Sequence, residues 1–262
     1  KLKEVVIISF TGSTDVGRIL SKQAGYYLKP FVGELGGTNP FVIFSDADQS
    51  LAVNDLVQRK IKAAGQACSA QNVVFIEKTV ADEVIDNILD TFRNVEATSS
   101  GVLNAVMGPV RTKNSVNRLI GISRKLESQG AKKLLGGVSQ VGEKSAFLVQ
   151  PTVYRSRIPD AFFKFEFFGP VLGIYVFDDR EKLNSLLAEN YQPLALYLYS
   201  KDLRFLEKYV KNLRYGSIGL NSTGIQGANV PTGGFAGSGF GREGGVWGLR
   251  EFLTTKNVKY FS

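Results

Sequence analysis

The sequence contains no histidine, and its 262 residues include a single cysteine, Cys68. Without histidine, the chain lacks the base that activates the cysteine of a Cys-His protease or acyltransferase, which argues against those enzyme classes. One cysteine cannot form an internal disulfide, which makes a reducing, cytoplasmic setting the simplest expectation. Because an isolated cysteine is usually a small buried apolar residue, Cys68 needs support from its surroundings before it can be given a chemical role.

Long apolar runs and clusters of one charge sign are also missing. Apolar runs such as 5–8 are far shorter than the roughly 20 residues that a membrane-spanning helix needs, so no membrane partner is expected. The N-terminus lacks the order of basic, apolar and small residues that is typical of a secretory signal. The net charge is +8, but basic residues are interspersed with acids, as at Glu77-Lys78 and Lys201-Asp202, so nucleic-acid binding is not expected either.

Strand and helix patterns alternate along the chain. The apolar run 5–10 predicts a buried strand, residues 11–14 interrupt it, and the segment 15–24 is typical of a helix. Such alternation predicts an α/β fold with a largely parallel sheet flanked by helices. Further strands are predicted at 41–44, 73–76, 147–153, 171–177, 194–199 and 217–220, and further helices at 49–64, 80–89, 114–128, 181–189 and 203–213.

Six short motifs occur in a fixed order over nearly the whole chain. They are FTGS at 10–13, ELGGTNP at 34–40, DAD at 46–48, GQAC at 65–68, EFFGPV at 166–171 and SGFGRE at 238–243. Together they resemble the NAD(P)-dependent aldehyde dehydrogenase superfamily, and the segment 239–256 most resembles its succinate-semialdehyde dehydrogenase branch. The resemblance implies that family's catalytic domain, joined to remnants of a Rossmann-type cofactor domain.

The resemblance also implies a role for the lone cysteine. In that family a cysteine thiolate attacks the aldehyde carbonyl, hydride leaves the thiohemiacetal for the nicotinamide, and water hydrolyses the thioester. Cys68 matches the nucleophile, and Glu34 matches the glutamate that activates the water or the thiol. None of these steps requires histidine, and a carboxylate whose pKa is raised by burial can accept the proton. The implied activity is oxidation of an aldehyde to a carboxylic acid with NAD or NADP, and no metal ion is implied.

The same resemblance implies five cofactor-binding residues: Gly12, Ser13, Leu35, Glu166 and Phe168. Gly12 and Ser13 lie between a predicted strand and a predicted helix, where helix N-termini bind pyrophosphate, although an ordinary turn and helix cap would look the same. Glu166 matches the residue that accepts hydrogen bonds from the nicotinamide ribose hydroxyls, and Phe168 matches the ring beside the nicotinamide. The neighbouring Phe167 is expected to be a core aromatic instead.

One position bears on the substrate. Lys62 stands six residues before Cys68, where the succinate-semialdehyde branch has a basic residue that binds the substrate carboxylate. Lysine keeps the positive charge but lacks the bidentate fork of arginine. The serine that this branch carries further on is missing near Gln226, and the family's PFGG motif is PTGG at 231–234. An acidic semialdehyde, such as succinate semialdehyde, and another aldehyde therefore both stay open, as does an exposed structural role for Lys62.

Enzymes of this family are nearly twice as long as the chain, and the resemblance aligns its start with the end of their cofactor-binding domain. We therefore expect that domain's last part at 1–33, the catalytic domain at 34–225, a return segment beside the substrate mouth at 226–249 and an oligomerisation arm at 250–262. The arm would add a strand to a second copy and form a homo-oligomer, either a dimer or a tetramer.

The N-terminal half is expected to be missing, and with it an oxyanion-hole asparagine whose loss typically costs about 100- to 1,000-fold in turnover. The residues that discriminate NAD from NADP lie in the same half. The alternative to an enzyme is therefore a non-catalytic fragment or degenerate homologue that acts as an interaction or structural protein.

Overall fold

The computed structural model describes residues 3–98, 106–138 and 147–261. Within these ranges the strands are β1 (Ile8–Thr11), β2 (Phe31–Glu34), β3 (Asn39–Ile43), β4 (Gln71–Glu77), β5 (Lys132–Leu135), β6 (Thr152–Arg155), β7 (Val171–Phe177), β8 (Ala195–Tyr199), β9 (Ser217–Leu220) and β10 (Gly239–Phe240). The α-helices are α1 (Thr14–Tyr26), α2 (Gln49–Ile61), α3 (Ala81–Arg93), α4 (Lys113–Ser128), α5 (Arg180–Ala188), α6 (Leu203–Val210) and α7 (Gly245–Glu251).

The larger sheet has seven strands in the order β5-β6-β7-β4-β3-β8-β9. Every neighbouring pair is parallel except β5 and β6, which confirms the predicted largely parallel α/β architecture. All five residues of β3 and all five of β8 are buried. Strands covered on both faces of a parallel sheet are apolar along their whole length, which is why the apolar runs predicted them.

The smaller sheet has three strands in the order β1-β2-β10. β1 runs parallel to β2, whereas β10 runs antiparallel to it and pairs Gly239 with Glu34. Because of this pairing, the glycine-rich segment near the C-terminus lies directly beside Glu34, in the N-terminal part of the chain. Among the described residues, no helix has the length and apolar character that crossing a membrane requires.

Several predicted boundaries were wrong. The first strand begins at Ile8, and the strand predicted over 147–153 forms at Thr152–Arg155, while 139–146 lie outside the described residues. The helix predicted over 49–64 ends at Ile61, because Ala63 and Ala64 have φ values of 52° and 54° and form a tight turn up to Gly65. β2 and β5 were not predicted, because neither alternates clearly between apolar and polar positions nor forms an unbroken apolar run. β10 and α7 were not predicted either.

Candidate active site

The loop that carries Cys68 lies between the turn after α2 and the start of β4, and its backbone is held by side chains from two neighbouring strands. Asn39 Nδ2 donates hydrogen bonds to the carbonyl oxygens of Cys68 and Ala70, at 2.7 and 2.8 Å. The Tyr197 hydroxyl donates to the carbonyl of Ser69 at 2.8 Å. Three consecutive carbonyl groups are therefore fixed around the half-buried Cys68.

A glycine brings this loop against the EFFGPV segment. Gly65 has a φ of 69°, and a Cβ added there would lie 2.3 Å from the carbonyl oxygen of Gly169. Any side chain at this position would push the two backbones apart and would also strain the left-handed backbone. The glycine of the GQAC motif therefore places Cys68 next to the segment that contains Glu166.

Glu34 ends β2, and 8% of it is exposed. Its Oε1 is buried without a hydrogen-bond partner among the described residues. Burial raises the pKa of Glu34 to about 8, and the nearby Glu243 carboxylate adds to this rise, while Arg242 opposes it. Glu34 is thus mainly protonated at neutral pH, with an ionised fraction that is available as a base.

Glu166 lies against the two glycines of the ELGG motif. Its Oε1 accepts a hydrogen bond of 3.4 Å from the Gly37 amide, and a Cβ added at Gly36 would lie 2.4 Å from its Oε2. Burial raises the pKa of Glu166 to about 7, whereas the Gly37 amide and the cations Arg118 and Lys60 lower it. The absence of a side chain at Gly36 therefore makes room for this carboxylate.

The two predicted catalytic groups, Cys68 and Glu34, interact electrostatically with each other, and Cys68 also interacts with the predicted cofactor residue Glu166. Burial raises the pKa of the Cys68 thiol first, and the carboxylates of Glu166 and Glu34 raise it further. A hydrogen bond from the Ser69 backbone and the charge of Arg59 act in the opposite direction. Cys68 is consequently a thiol at neutral pH, so a proton acceptor is needed to form the reactive thiolate.

Two of the predicted cofactor residues face one cavity. Ser13 and Glu166 both line a cavity of about 710 Å³, together with Arg18 and Arg118. Ser13 is also the N-cap of α1, and its Oγ accepts from the amide of Val16 at 3.4 Å, so the helix cap considered from the sequence is present. A helix N-terminus and arginines suit a pyrophosphate, and a carboxylate suits ribose hydroxyls.

The other predicted cofactor residues have different surroundings. The Gly12 amide donates to the carbonyl of Glu34 at 3.0 Å, and Leu35 is buried against α1. Phe168 is 39% exposed, whereas Phe167 is completely buried, which confirms the expectation that Phe167 belongs to the core. The cofactor roles of these positions stay predictions.

Lys62 is exposed and does not line the cavity of Ser13 and Glu166. It lines another cavity together with Arg59. Its proposed contact with a substrate carboxylate stays a prediction.

Sequence reasoning missed several residues that shape the site. Arg118 on α4 donates to the carbonyls of 166, 167 and 168 at 2.9, 2.6 and 3.0 Å, which holds that segment in place. Lys60 is 1% exposed, donates to the carbonyl of Gln71 at 2.7 Å, and has a pKa that burial lowers to about 7. Neither residue lies in a motif, and only Asn39, inside ELGGTNP, carried a signal that could have found it.

Comparison with known proteins shows similarity along almost the entire chain. The model of the aldehyde dehydrogenase family matches residues 1–258. The succinate-semialdehyde dehydrogenase [NADP(+)] 2 of Schizosaccharomyces pombe is 29% identical over 252 residues, which cover 96% of the chain and 51% of that protein. A chloroplastic betaine aldehyde dehydrogenase of Atriplex hortensis is also 29% identical, over 96% of the chain and 50% of that protein.

A solved structure shows the same relationship. The betaine aldehyde dehydrogenase of Staphylococcus aureus in complex with NAD+ superimposes with a TM-score of 0.91 at 29% identity, over 97% of the chain and 51% of that protein. The chain thus spans about half the length of the relatives that it matches.

Proposed function

The chain belongs to the aldehyde dehydrogenase family, and on this premise we propose that it contributes the nucleophile and the base for oxidation of an aldehyde to a carboxylic acid with NAD or NADP. The observation that carries the proposal is the grouping of one half-buried thiol with a buried carboxylate, Glu34, and a partly buried one, Glu166, whose charges both act on Cys68. Sites at which burial and neighbouring charges shift several pKa values together are typical of catalysis.

The residues present fit a nicotinamide dinucleotide. Glu166, with room made by Gly36, would hold ribose hydroxyls, while Ser13 at the start of α1 and Arg18 would face the phosphates. When bound, the cofactor supplies the hydride acceptor. Because the relatives' names include NADP(+) and the related structure contains NAD+, both remain candidates.

The chain's own residues would act in two stages. In the first, Cys68 loses its proton to a carboxylate, and its sulfur bonds to the aldehyde carbon while the C=O π electrons move to oxygen, giving an anionic thiohemiacetal. Loss of hydride from that carbon lets the oxygen re-form its C=O bond, which gives the thioester. In the second, Glu34 takes a proton from water, the resulting hydroxide attacks the thioester, and the carbon–sulfur bond breaks to release the acid and the thiolate. Fixing the loop carbonyls through Asn39 and Tyr197 keeps the sulfur in position between the two stages.

A semialdehyde is the substrate that we favour. Lys62 places a positive charge six residues before the nucleophile, and relatives of the chain are named as succinate-semialdehyde dehydrogenases. Other relatives are named as betaine aldehyde and aminoaldehyde dehydrogenases, so the relatives' names alone do not select an acidic aldehyde, and Lys62 is what favours one. Those names include chloroplastic and peroxisomal enzymes as well, and the cytoplasmic location stays a prediction.

Homo-oligomerisation is part of the proposal. The segment after α7 contains exposed apolar side chains, of which Leu253, Val258, Tyr260 and Phe261 are 71%, 57%, 88% and 84% exposed. Such a stretch is suited to pairing with a second copy of the chain.

The test is aldehyde-dependent reduction of NAD or NADP by the complete protein that carries this chain, followed by the absorbance of the reduced cofactor. Cys68→Ala should abolish the signal, and Ser185→Ala, a matched change on the exposed face of α5, should not. If Cys68→Ala left the rate unchanged, or if the unsubstituted protein oxidised no aldehyde, the non-catalytic interaction protein would be the better description.

A further inference from the structure

The side chain of Asn72 joins the start of β4 to the segment that carries Glu166. Asn72 Nδ2 donates to the carbonyl oxygens of Phe162 and Phe165, at 2.5 and 3.1 Å. Its Oδ1 accepts from the amide of Phe167 at 2.8 Å. Phe165 and Phe167 are the two neighbours of Glu166 in the chain. One buried side chain, 2% exposed, therefore fixes the backbone both before and after this carboxylate.

An irregularity at the start of β4 sets Asn72 apart from the rest of the strand. Asn39 pairs with Gln71 and Pro40 pairs with Val73, so Asn72 has no partner on β3. An extra residue of this kind changes the direction in which a side chain points, and such irregularities are frequent beside active sites. The side chain of Asn72 is thereby free to bond to the Glu166 segment.

The nucleophile loop ends just before Asn72. Cys68 precedes Asn72 by four residues, and carbonyl groups of that loop are held by Asn39 and Tyr197. The charge of Glu166 acts on the Cys68 thiol, so the two groups are close in space. With the loop fixed on one side and both neighbours of Glu166 fixed on the other, Asn72 is the link that sets their relative position.

The segment is strained at its far end, so it has to be held in place. Phe168 has a φ of 42°, a left-handed conformation that a residue other than glycine keeps only where the surrounding structure fixes it. Arg118 contributes from α4 through its bonds to the carbonyls of 166, 167 and 168. Arg118 also lines the cavity of Glu166, whereas Asn72 is buried outside that lining. A change at Asn72 can therefore affect a bound cofactor only through the segment.

We propose that Asn72 is a positioning residue: it places the Glu166 carboxylate, and with it the nicotinamide ribose, where hydride can leave the thiohemiacetal formed on Cys68. This inference rests on the proposed aldehyde oxidation. Asn72 touches neither the aldehyde nor the cofactor, and it acts by fixing the backbone on both sides of Glu166. A displacement of about 1 Å between reacting groups can lower a rate roughly 100-fold, so this placement decides how fast hydride is transferred.

The first experiment measures cofactor affinity by calorimetry on the complete protein that carries this chain. Asn72→Ala should raise the Kd of NAD or NADP roughly tenfold, the usual size of a lost hydrogen bond, because the carboxylate is displaced. In a Glu166→Gln background the same change should add less than about twofold, since the group that Asn72 positions is already absent. Asn184→Ala is the matched control, because Asn184 also donates to a backbone carbonyl, that of Tyr209, but between α5 and α6.

The second experiment separates hydride transfer from the reactivity of the thiol. At saturating cofactor, Asn72→Ala should slow the burst of cofactor reduction by roughly 10- to 100-fold. Iodoacetamide alkylates Cys68 without cofactor, forming a sulfur–carbon bond and releasing iodide and the thiol proton. This rate, followed on the Cys68 peptide by mass spectrometry, should change less than about twofold, because Asn39 and Tyr197 still hold the loop. Asn184→Ala should leave both rates unchanged.

Asn72→Ala leaves three buried backbone groups without their partner, so a second variant guards against loss of the fold. Asn72→Ser keeps a hydroxyl that can donate and accept. It should show the same pattern with smaller changes, and its circular dichroism spectrum should match that of the unsubstituted protein.

The outcomes separate the two proposals. An equal loss of affinity with and without the Glu166 carboxylate would show that Asn72 supports only the fold, and would overturn its positioning role. Unchanged affinity and burst rate would overturn it as well, and so would alkylation that slowed as much as the burst. If the unsubstituted protein bound the cofactor but oxidised no aldehyde, the proposed oxidation would fail, while the affinity measurements would still decide whether Asn72 positions Glu166. If it bound neither NAD nor NADP, both proposals would fail.

Discussion

Hydrolysis of the thioester should accelerate about tenfold between pH 7 and pH 9, because the proposed base is Glu34 and its pKa is about 8. The active form is the ionised carboxylate, and burial together with Glu243 makes that form less stable. Its population rises from about 9% at pH 7 through about 50% at pH 8 to about 91% at pH 9. An ordinary exposed glutamate would be ionised throughout this range and would give a flat profile.

Two substitutions test the origin of this profile. Glu34→Gln removes the base, so it should abolish the rise and slow hydrolysis by roughly 100- to 10,000-fold. Glu243→Gln removes a charge that raises the Glu34 pKa, so the rise should move to lower pH. Glu207→Gln, on the exposed part of α6, should leave the profile in place.

The assay is rapid mixing of the complete protein with aldehyde and NAD or NADP, which separates the burst of cofactor reduction from the slower steady state. The separation is needed because the raised pKa of Cys68 also makes the first stage faster at high pH. A hydrolysis rate that is constant from pH 7 to pH 9 would refute the assignment. So would a Glu34→Gln variant that loses the burst but hydrolyses the thioester at the normal rate.

Three further predictions follow from single contacts. Gly36→Ala places a Cβ 2.4 Å from Glu166 Oε2, so the flexible Glu166 carboxylate should move. The KM for the cofactor should then rise with little change in thermal stability, and an unchanged KM would contradict the proposed cofactor role of Glu166. Tyr197→Phe leaves the Ser69 carbonyl without its donor and should lower the free energy of unfolding by about 1–3 kcal/mol in urea titrations. A variant as stable as the unsubstituted protein would show that this hydrogen bond does not contribute to stability. Truncation after Thr254 should reduce the mass measured by light scattering, and an equal mass would argue against the C-terminal arm as the oligomer contact.

The fold could be predicted where the signal is local. β7 occurs at the predicted residues 171–177, because a largely buried strand needs an almost unbroken apolar run. β9, at the edge of the sheet, also occurs at the predicted residues 217–220. β2 could not be recognised in the same way, since FVGE contains a glycine and a glutamate. Its strand conformation comes from pairing with β1 and with β10, and β10 lies some two hundred residues further along the chain.

Some residues of the candidate site could also be predicted from the sequence, whereas others could be found only in the structure. The ordered motifs were enough to single out Cys68, Glu34 and Glu166, because the residue types that this chemistry needs occur in the family's order. Nothing in the sequence around Arg59 or Lys60 marks them, and their importance comes from where α2 meets the nucleophile loop. A lysine that is 1% exposed looks the same in a sequence as one on the surface.

By itself, the sequence determined the parallel α/β architecture, the family, and the lone cysteine in a chain without histidine, because apolar periodicity, residue type and motif order are all local properties. Only the tertiary structure decided the ionisation of the site. The pKa values of Glu34 and Glu166 depend on desolvation by segments from both ends of the chain and on charges such as Glu243 and Arg118. Burial and Coulomb interactions depend on distances in space, and those exist only after the two sheets have brought these segments together.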